Sequence, residues 1–309
     1  MVKCEECGCE FNQEKSLHIH LKSHKLSVET YYRKHFPKWD LYSGEPLVFK
    51  NRDQYLESDF NSKNNFRKWA QKTSKEKVTE YCKKLLLRRK EKKKTIYPYS
   101  QVELKSVGLP PVHFLNDLFG DYYEFCENNG FEHKYNSPAA LKLQDSLSKN
   151  YCIFVDTREQ KPLDFIFPTQ IKKLDFGDYC YENQDISGRC YIERKSLTDF
   201  IGTLNAGFKR FCKEIERAME EDAHIVVVVE NDLTTALSFQ YLPYINRNTK
   251  VNADFIFHRV RYILNMYKNV QFVFANDRNE CKRVVEKIFA NKDIGLNYDL
   301  QYLYEHTKL

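Results

Sequence analysis

The C-terminal half of this chain predicts an α/β fold: a mixed β-sheet flanked by helices, preceded by a small Cys/His unit and a mainly helical middle region. Three observations carry the prediction. Strand-like and helix-like periods alternate over residues 151–290, the pattern of a sheet covered by helices. His224-Ile-Val-Val-Val-Val-Glu230 is an unbroken apolar run rich in β-branched residues, as in a strand buried on both faces. Phe208, Phe211, Cys212, Ile215, Ala218 and Met219 recur at helical spacing up to Glu221.

In chain order, Cys4-x2-Cys7-x12-His20-x3-His24 comes first, with the spacing of a C2H2 zinc finger at 1–26. Phe11 and Leu17 supply its small core, and Leu17, His20, Leu21 and His24 share one helix face. A unit this small cannot bury enough surface to fold unaided, so Zn²⁺ bound by Cys4, Cys7, His20 and His24 would supply the folding energy. Cys9 and His18 fall outside the spacing. Counting back from His20, the base-reading positions are Gln13, Ser16 and Ile19. Gln13 and Ser16 can bond to base edges, whereas Ile19 offers only apolar contact. A single finger covers about three base pairs, so it would assist DNA binding rather than specify a long site. Docking on a protein is the alternative.

Residues 27–150 read as a mainly helical, basic, DNA-binding region. Tyr31-Tyr-Arg-Lys-His-Phe-Pro-Lys-Trp39 and Phe60-Asn-Ser-Lys-Asn-Asn-Phe-Arg-Lys-Trp69 interleave rings and cations, which suits either nucleic acid or an aromatic core. For Phe66 and Trp69, three apart on a helix, the core reading is the better one. Asp40 to Glu45 forms a turn. Val78, Tyr81, Cys82, Leu85 and Leu86 give the next helix an apolar stripe. Around it lie Lys83, Lys84, Arg88, Arg89, Lys90, Lys92, Lys93 and Lys94, which we expect on DNA phosphates, as we do Lys209 and Arg210 further on. Short helices separated by Gly and Pro over 97–131 suggest a helix-turn-helix-like unit, similar to small modules attached to phage and intron-borne endonucleases. Residues 134–150 read as a connector, with a short helix after Pro138.

The chemistry concentrates in the last part. Tyr151-Cys-Ile-Phe-Val-Asp156 is a strand ending in a carboxylate, followed by Thr157-Arg158-Glu159. Gly177-Asp178 opens a second strand, turn-forming residues occupy 183–188, and Cys190-Tyr-Ile-Glu-Arg-Lys195 completes a hairpin. Side chains two apart share a strand face, so Glu193 and Lys195 point one way and Arg194 the other. Asp178 can lie beside Glu193, and Asp156 can complete the group. Clustered carboxylates gain from a shared cation, and hard oxygen donors suit Mg²⁺ or Mn²⁺. Such an ion, held by Asp156, Asp178 and Glu193, would activate water against a phosphodiester. Lys195 would orient that water or stabilise developing charge. Arg158, Glu159, Arg194 and Asp199 are secondary candidates.

The series Val-Asp-Thr-Arg-Glu, Gly-Asp and Glu-Arg-Lys-x-x-x-Asp, spanning Val155 to Asp199, resembles the nuclease domain of the XPF-type structure-specific endonucleases, a branch of the PD-(D/E)xK superfamily. The resemblance covers about residues 152–290. It implies a restriction-endonuclease-like sheet over 151–290, metal-dependent DNA cleavage at flaps, forks or junctions in repair or recombination, and a homodimer as one arrangement. Relatives carry tandem helix-hairpin-helix motifs after the nuclease, but the tail at 291–309, rich in Tyr and Leu, is too short for them. Two rival readings stay open: a sequence-specific, homing-like endonuclease, and a DNA-binding scaffold without catalysis.

Composition sets outer bounds. A net charge of +6 over 309 residues makes nucleic-acid binding regional rather than global. No apolar run is long enough to cross a bilayer, and the N-terminus is not a signal peptide. Ten cysteines, two assigned to zinc and the rest scattered, favour a reducing compartment. This would be the cytoplasm or nucleus, or the host cytoplasm for a viral gene.

Overall fold

The computed structural model describes residues 1–48, 59–139, 141–143, 152–183, 186–187, 189–243, 245, 251–291, 294–306 and 309. Two units emerge, Met1–Lys93 and Lys94–Leu309. Among the described residues no helix is long and apolar enough to cross a membrane.

In the first unit, β1 (Val2–Lys3) pairs antiparallel with β2 (Glu10–Phe11), and α1 (Glu14–His20) runs into a 3-10 turn, Leu21–His24. Leu17 and Leu21 pack with Cys4. The core does not stop at residue 26. In α2 (Val28–His35), Tyr31 and Tyr32 are buried in the same cluster as Leu47. Tyr31 Oη accepts the Glu5 N–H at 2.8 Å, and Glu6 accepts from both Lys34 and His35 at 2.7 Å. Those two rings therefore fill the core, because a 26-residue finger leaves its sheet side open. Asp40 is buried and closes the expected turn, accepting from the Tyr42, Ser43 and Asn61 N–H groups and from Asn65. Between α3 (Lys63–Lys72) and α4 (Lys75–Lys93), the half-buried rings of Phe60, Phe66, Trp69 and Tyr81 meet at 5.2–6.2 Å and pack on one another. Val78, Cys82, Leu85 and Leu86 form the buried stripe of α4.

The second unit begins with three short helices, α5 (Gln101–Ser106), α6 (Val112–Phe119) and α7 (Tyr122–Asn128). Ser100 and Glu103 form a capping box on α5. The expected boundary at residue 150 does not follow the packing, since helices of six to eight residues cannot bury their own aromatic faces. Gln101 N–H and Tyr123 O–H both donate to Asp299 Oδ2, at 2.6 and 2.9 Å. Lys134 Nζ donates to the Leu264 and Tyr267 carbonyls at 2.7 and 3.2 Å. Much of the helix expected after Pro138 falls outside the described residues.

The sheet comprises β3 (Cys152–Asp156), β4 (Thr169–Lys172), β5 (Tyr179–Asn183), β6 (Ile186–Ser187), β7 (Cys190–Lys195), β8 (His224–Glu230) and β9 (Val270–Ala275). Its order is β4-β3-β5-β7-β8-β9, with β6 on β5. β3–β4, β7–β8 and β8–β9 are parallel, while β3–β5 and β5–β7 are antiparallel. Helices α8 (Leu197–Leu204), α9 (Phe208–Glu220), α10 (Leu233–Ala236) and α11 (Ala253–Met266) cover one face. The other face is covered by α12 (Arg278–Ala290) together with α13 (Ile294–Asn297) and α14 (Leu300–Glu305).

The tail is thus folded rather than appended. Gln301 Oε1 accepts the Phe274 N–H at 2.7 Å and Tyr304 Oη the Asn276 N–H at 3.0 Å, so side chains occupy the outer edge of β9. Asp299 ties this tail to α5 and α7. Asp299→Ala leaves the Gln101 N–H and the Tyr123 hydroxyl without their acceptor, and we expect a loss of about 2–4 kcal/mol. Urea denaturation followed by far-UV circular dichroism would read it; an unchanged midpoint contradicts the anchoring role.

Candidate active site and metal centre

Gly177 has φ +59, and a Cβ there would sit 2.7 Å from the Ile192 carbonyl oxygen. Only glycine lets β5 enter the sheet this close to the β7 backbone. Asp178 is then stitched in place. Its N–H donates to Ile192 O at 2.7 Å, its carbonyl accepts from Asp156 N at 2.8 Å, and its Oδ2 accepts the Arg194 N–H at 2.8 Å.

Glu193 and Lys195 share one face of β7, and Lys195 Nζ donates to Glu193 Oε1 at 2.6 Å. Burial, and next the Glu193 carboxylate, push the Asp178 carboxyl up to about 7. A buried carboxyl held up by burial and a carboxylate neighbour, beside a lysine, is a site that a divalent cation would relieve.

Asp156, expected as a third metal ligand, is met by donors of the chain itself. It is 1% exposed, with Oδ1 accepting from Arg158 N at 2.8 Å and Arg158 Nε at 2.6 Å, and Oδ2 from Leu174 N at 2.7 Å. Burial would raise its pKa, but these donors offset that and hold the carboxyl below its ordinary value. Its role here is to clasp the ends of β3 and β4, and Arg158 is drawn onto it.

The other secondary candidates are scaffold. Arg194 points away from Glu193 and bonds Glu159 at 2.9 Å and Glu230 at 3.0 Å, and Arg278 joins Glu230 at 2.7 Å. Burial would lower the Arg194 guanidinium, but Glu159 and Glu230 outweigh it. This network braces β7 against β8, α12 and the turn after β3. Asp199 accepts from Ser196 Oγ at 2.7 Å in the first turn of α8, where Ser196 is the N-cap.

Glu214 escaped the sequence reading. Burial, and next Glu193, raise its carboxyl, with Lys195 and Arg158 also acting on it. Its signal was the polar face of α9, where Arg210, Glu214 and Arg217 recur at four and three residues.

The Cys/His cluster assembles as its spacing predicts. Among the described residues, Cys4, Cys7, His20 and His24 are the one group of three or more potential ligands whose ligand atoms lie within 4.8 Å of one another. Cys7 Sγ is 3.2 Å from His20 Nε2, Cys4 Sγ is 3.7 Å from His24 Nε2, and the two Nε2 atoms are 3.0 Å apart. Tetrahedral bonds of about 2.0–2.3 Å place ligand atoms roughly 3.3–3.8 Å apart, so the donor set fits a metal of that size. Gln13, Ser16 and Ile19 are exposed, with Ile19 at 61%.

On α4 and just beyond it, Lys83, Lys84, Arg88, Lys92, Lys93 and Lys94 are exposed and Lys90 is half-buried. Arg89 is a correction: at 8% exposed it belongs to the buried stripe and does not face DNA. Lys209 and Arg210 are exposed in the first turn of α9.

Residues 155–288 match the ERCC4 domain. The chain therefore carries an ERCC4 domain, which holds Asp156, Asp178, Glu193 and Lys195 and spans less than half of the 309 residues. Among solved structures, XPF from Aeropyrum pernix matches at 20% identity, covering 44% of this chain and 64% of that one, with a TM-score of 0.34. The same protein in complex with DNA matches at 21% identity over 45% and 62%, also at 0.34. This chain thus covers less than two thirds of those proteins. No curated protein matches it.

Proposed function

We propose that this protein is a divalent-metal-dependent DNA endonuclease that cuts branched DNA, at flaps, forks or junctions, in repair or recombination. The observation that carries the reading is the Asp178–Glu193–Lys195 group inside the ERCC4 domain, with one carboxyl raised to about 7 by burial and its neighbour.

Asp178 and Glu193 would hold Mg²⁺ or Mn²⁺, which supplies positive charge to a phosphodiester oxygen and makes a water more acidic. Lys195, fixed on Glu193, orients the attacking water and faces charge developing on phosphorus. The Arg194 network keeps β7 in register while the substrate strand is pulled in.

Zn²⁺ in the N-terminal cluster would fix that fold, with Gln13 and Ser16 presented to DNA. The exposed lysines of α4 add phosphate contacts. A homodimer through the ERCC4 domain would not pair at the β9 edge, which side chains seal. The scatter of the cysteines outside the N-terminal cluster supports a reducing compartment, the cytoplasm or nucleus.

The test is cleavage of labelled flap, fork, Holliday-junction and plain duplex DNA with Mg²⁺, Mn²⁺ or EDTA. Metal-dependent cuts at branches support the reading. One recurrent sequence in linear DNA would turn it towards a homing-like enzyme, and binding without cutting towards a scaffold. Lys195→Ala is expected to lower kcat by about a hundredfold or more while Kd for DNA changes little; a fall in affinity with kcat intact would make Lys195 a binding group.

A further inference from the structure

The reacting group is acidic, yet its substrate is a polyanion, so cations must flank it. Two are built in. Lys172 lies opposite Asp156 in the β3–β4 register, and its ammonium stands over the Phe154 ring at 4.5 Å. That contact holds an otherwise flexible chain on the face of the sheet that carries Asp178 and Glu193. In the strand order β4-β3-β5, Lys172 is two strand spacings from Asp178, roughly 10 Å.

Arg217 of α9 donates to the Asp175 carbonyl at 2.8 Å and stacks over Phe176 at 4.7 Å, just before Gly177-Asp178. Arg210, seven residues earlier on the same helix, continues that bank. Both Lys172 and Arg217 are exposed, and among the described residues neither is in an ion pair.

We propose that Lys172 and Arg217 are the two cationic banks of the site and hold backbone phosphates of the cut DNA strand near the scissile bond. The proposal rests on the nuclease reading above. It assigns the β4 edge and the outer face of α9 to one continuous strand path across β4, β3, β5 and β7.

The experiment uses the whole chain and a fluorescently labelled fork, with Ca²⁺ replacing Mg²⁺ so that binding is read without cutting. Anisotropy titrations from 50 to 200 mM KCl compare wild type with Lys172→Gln, Lys172→Arg and Arg217→Gln, those salt limits being about the range over which phosphate contacts are lost. Gln at 217 keeps a donor for the Asp175 carbonyl, and thermal unfolding checks each fold. Each neutral variant should bind about threefold to tenfold more weakly and lower the slope of log K against log salt by about 0.7–0.9. Lys172→Arg should restore both. In Mg²⁺ the loss should fall on KM more than on kcat. Wild-type affinity and slope in both neutral variants would overturn the proposal, as would weaker binding that tracks a lower unfolding temperature with no change in slope. A wild type that binds no DNA at all would overturn the nuclease reading as well, and so is distinguishable.

Discussion

Asp178→Asn should remove metal-dependent cleavage by on the order of a thousandfold and, in the same protein, raise stability at neutral and alkaline pH. Both follow from one carboxyl. Its pKa rises from 3.8 to about 7 on folding, through burial and then Glu193. An acid whose folded pKa is raised favours the folded state while it is neutral, below pH 3.8. That contribution is lost as pH climbs from there through about 7, because the unfolded chain releases the proton first. Above about 7 the wild type carries a buried charge that Asn lacks, and Asn Oδ1 can still accept the Arg194 N–H. The gain should be about 1–4 kcal/mol at pH 8 in EDTA, shrinking towards pH 5. Saturating Mg²⁺ should stabilise the wild type and not the variant, since an ion bound only by the folded site shifts the equilibrium towards it. Differential scanning calorimetry at both pH values, beside a flap-cleavage assay, reads the pair. Undiminished cleavage sinks the site assignment, and a variant less stable at pH 8 sinks the electrostatic account.

What the sequence could convey depended on how local the cause was. Glu193 and Lys195 share a face through a two-residue period, and the Cys/His ligands through helical spacing, so both groups were legible. The buried run of β8 and the periodic face of α9 were legible for the same reason. The clasp on Asp156 was not legible because its partner, the Leu174 N–H, lies just beyond β4, a strand that periodicity did not mark. β4 is exposed at all four positions, so it has no alternation to read. The packing of α5–α7 and the tail rests on contacts such as Gln101 to Asp299, nearly two hundred residues apart. Arg89 shows the converse: within a run of cations, a buried one looks like its neighbours until the helix is packed. Glu214 joined the site only through tertiary folding of α9 over β7.

Removing the N-terminal metal should unfold more than a finger. Tyr31, Tyr32 and Leu47 share one core with Cys4, Leu17 and Leu21, and Tyr31 bonds the backbone right after Cys4. Zinc binding in small Cys/His units is worth about 10–16 kcal/mol, far above what this cluster of side chains could replace. Cys4→Ser, or a strong chelator, should therefore melt α1 and α2 together, with loss of the near-ultraviolet signal of the buried tyrosines. The unfolding transition of Lys94–Leu309 should persist, because its core is built from its own residues. Metal stoichiometry by atomic emission, calorimetry and DNA titration on the same samples test this. The expected result is loss of one bound zinc and of the low-temperature transition, with DNA affinity reduced while cleavage by the ERCC4 domain survives at raised substrate concentration. If α2 kept its fold without metal, residues 1–48 would be stabilised by the aromatic core alone. If affinity stayed constant as the fold melted, Gln13 and Ser16 would face a protein rather than DNA.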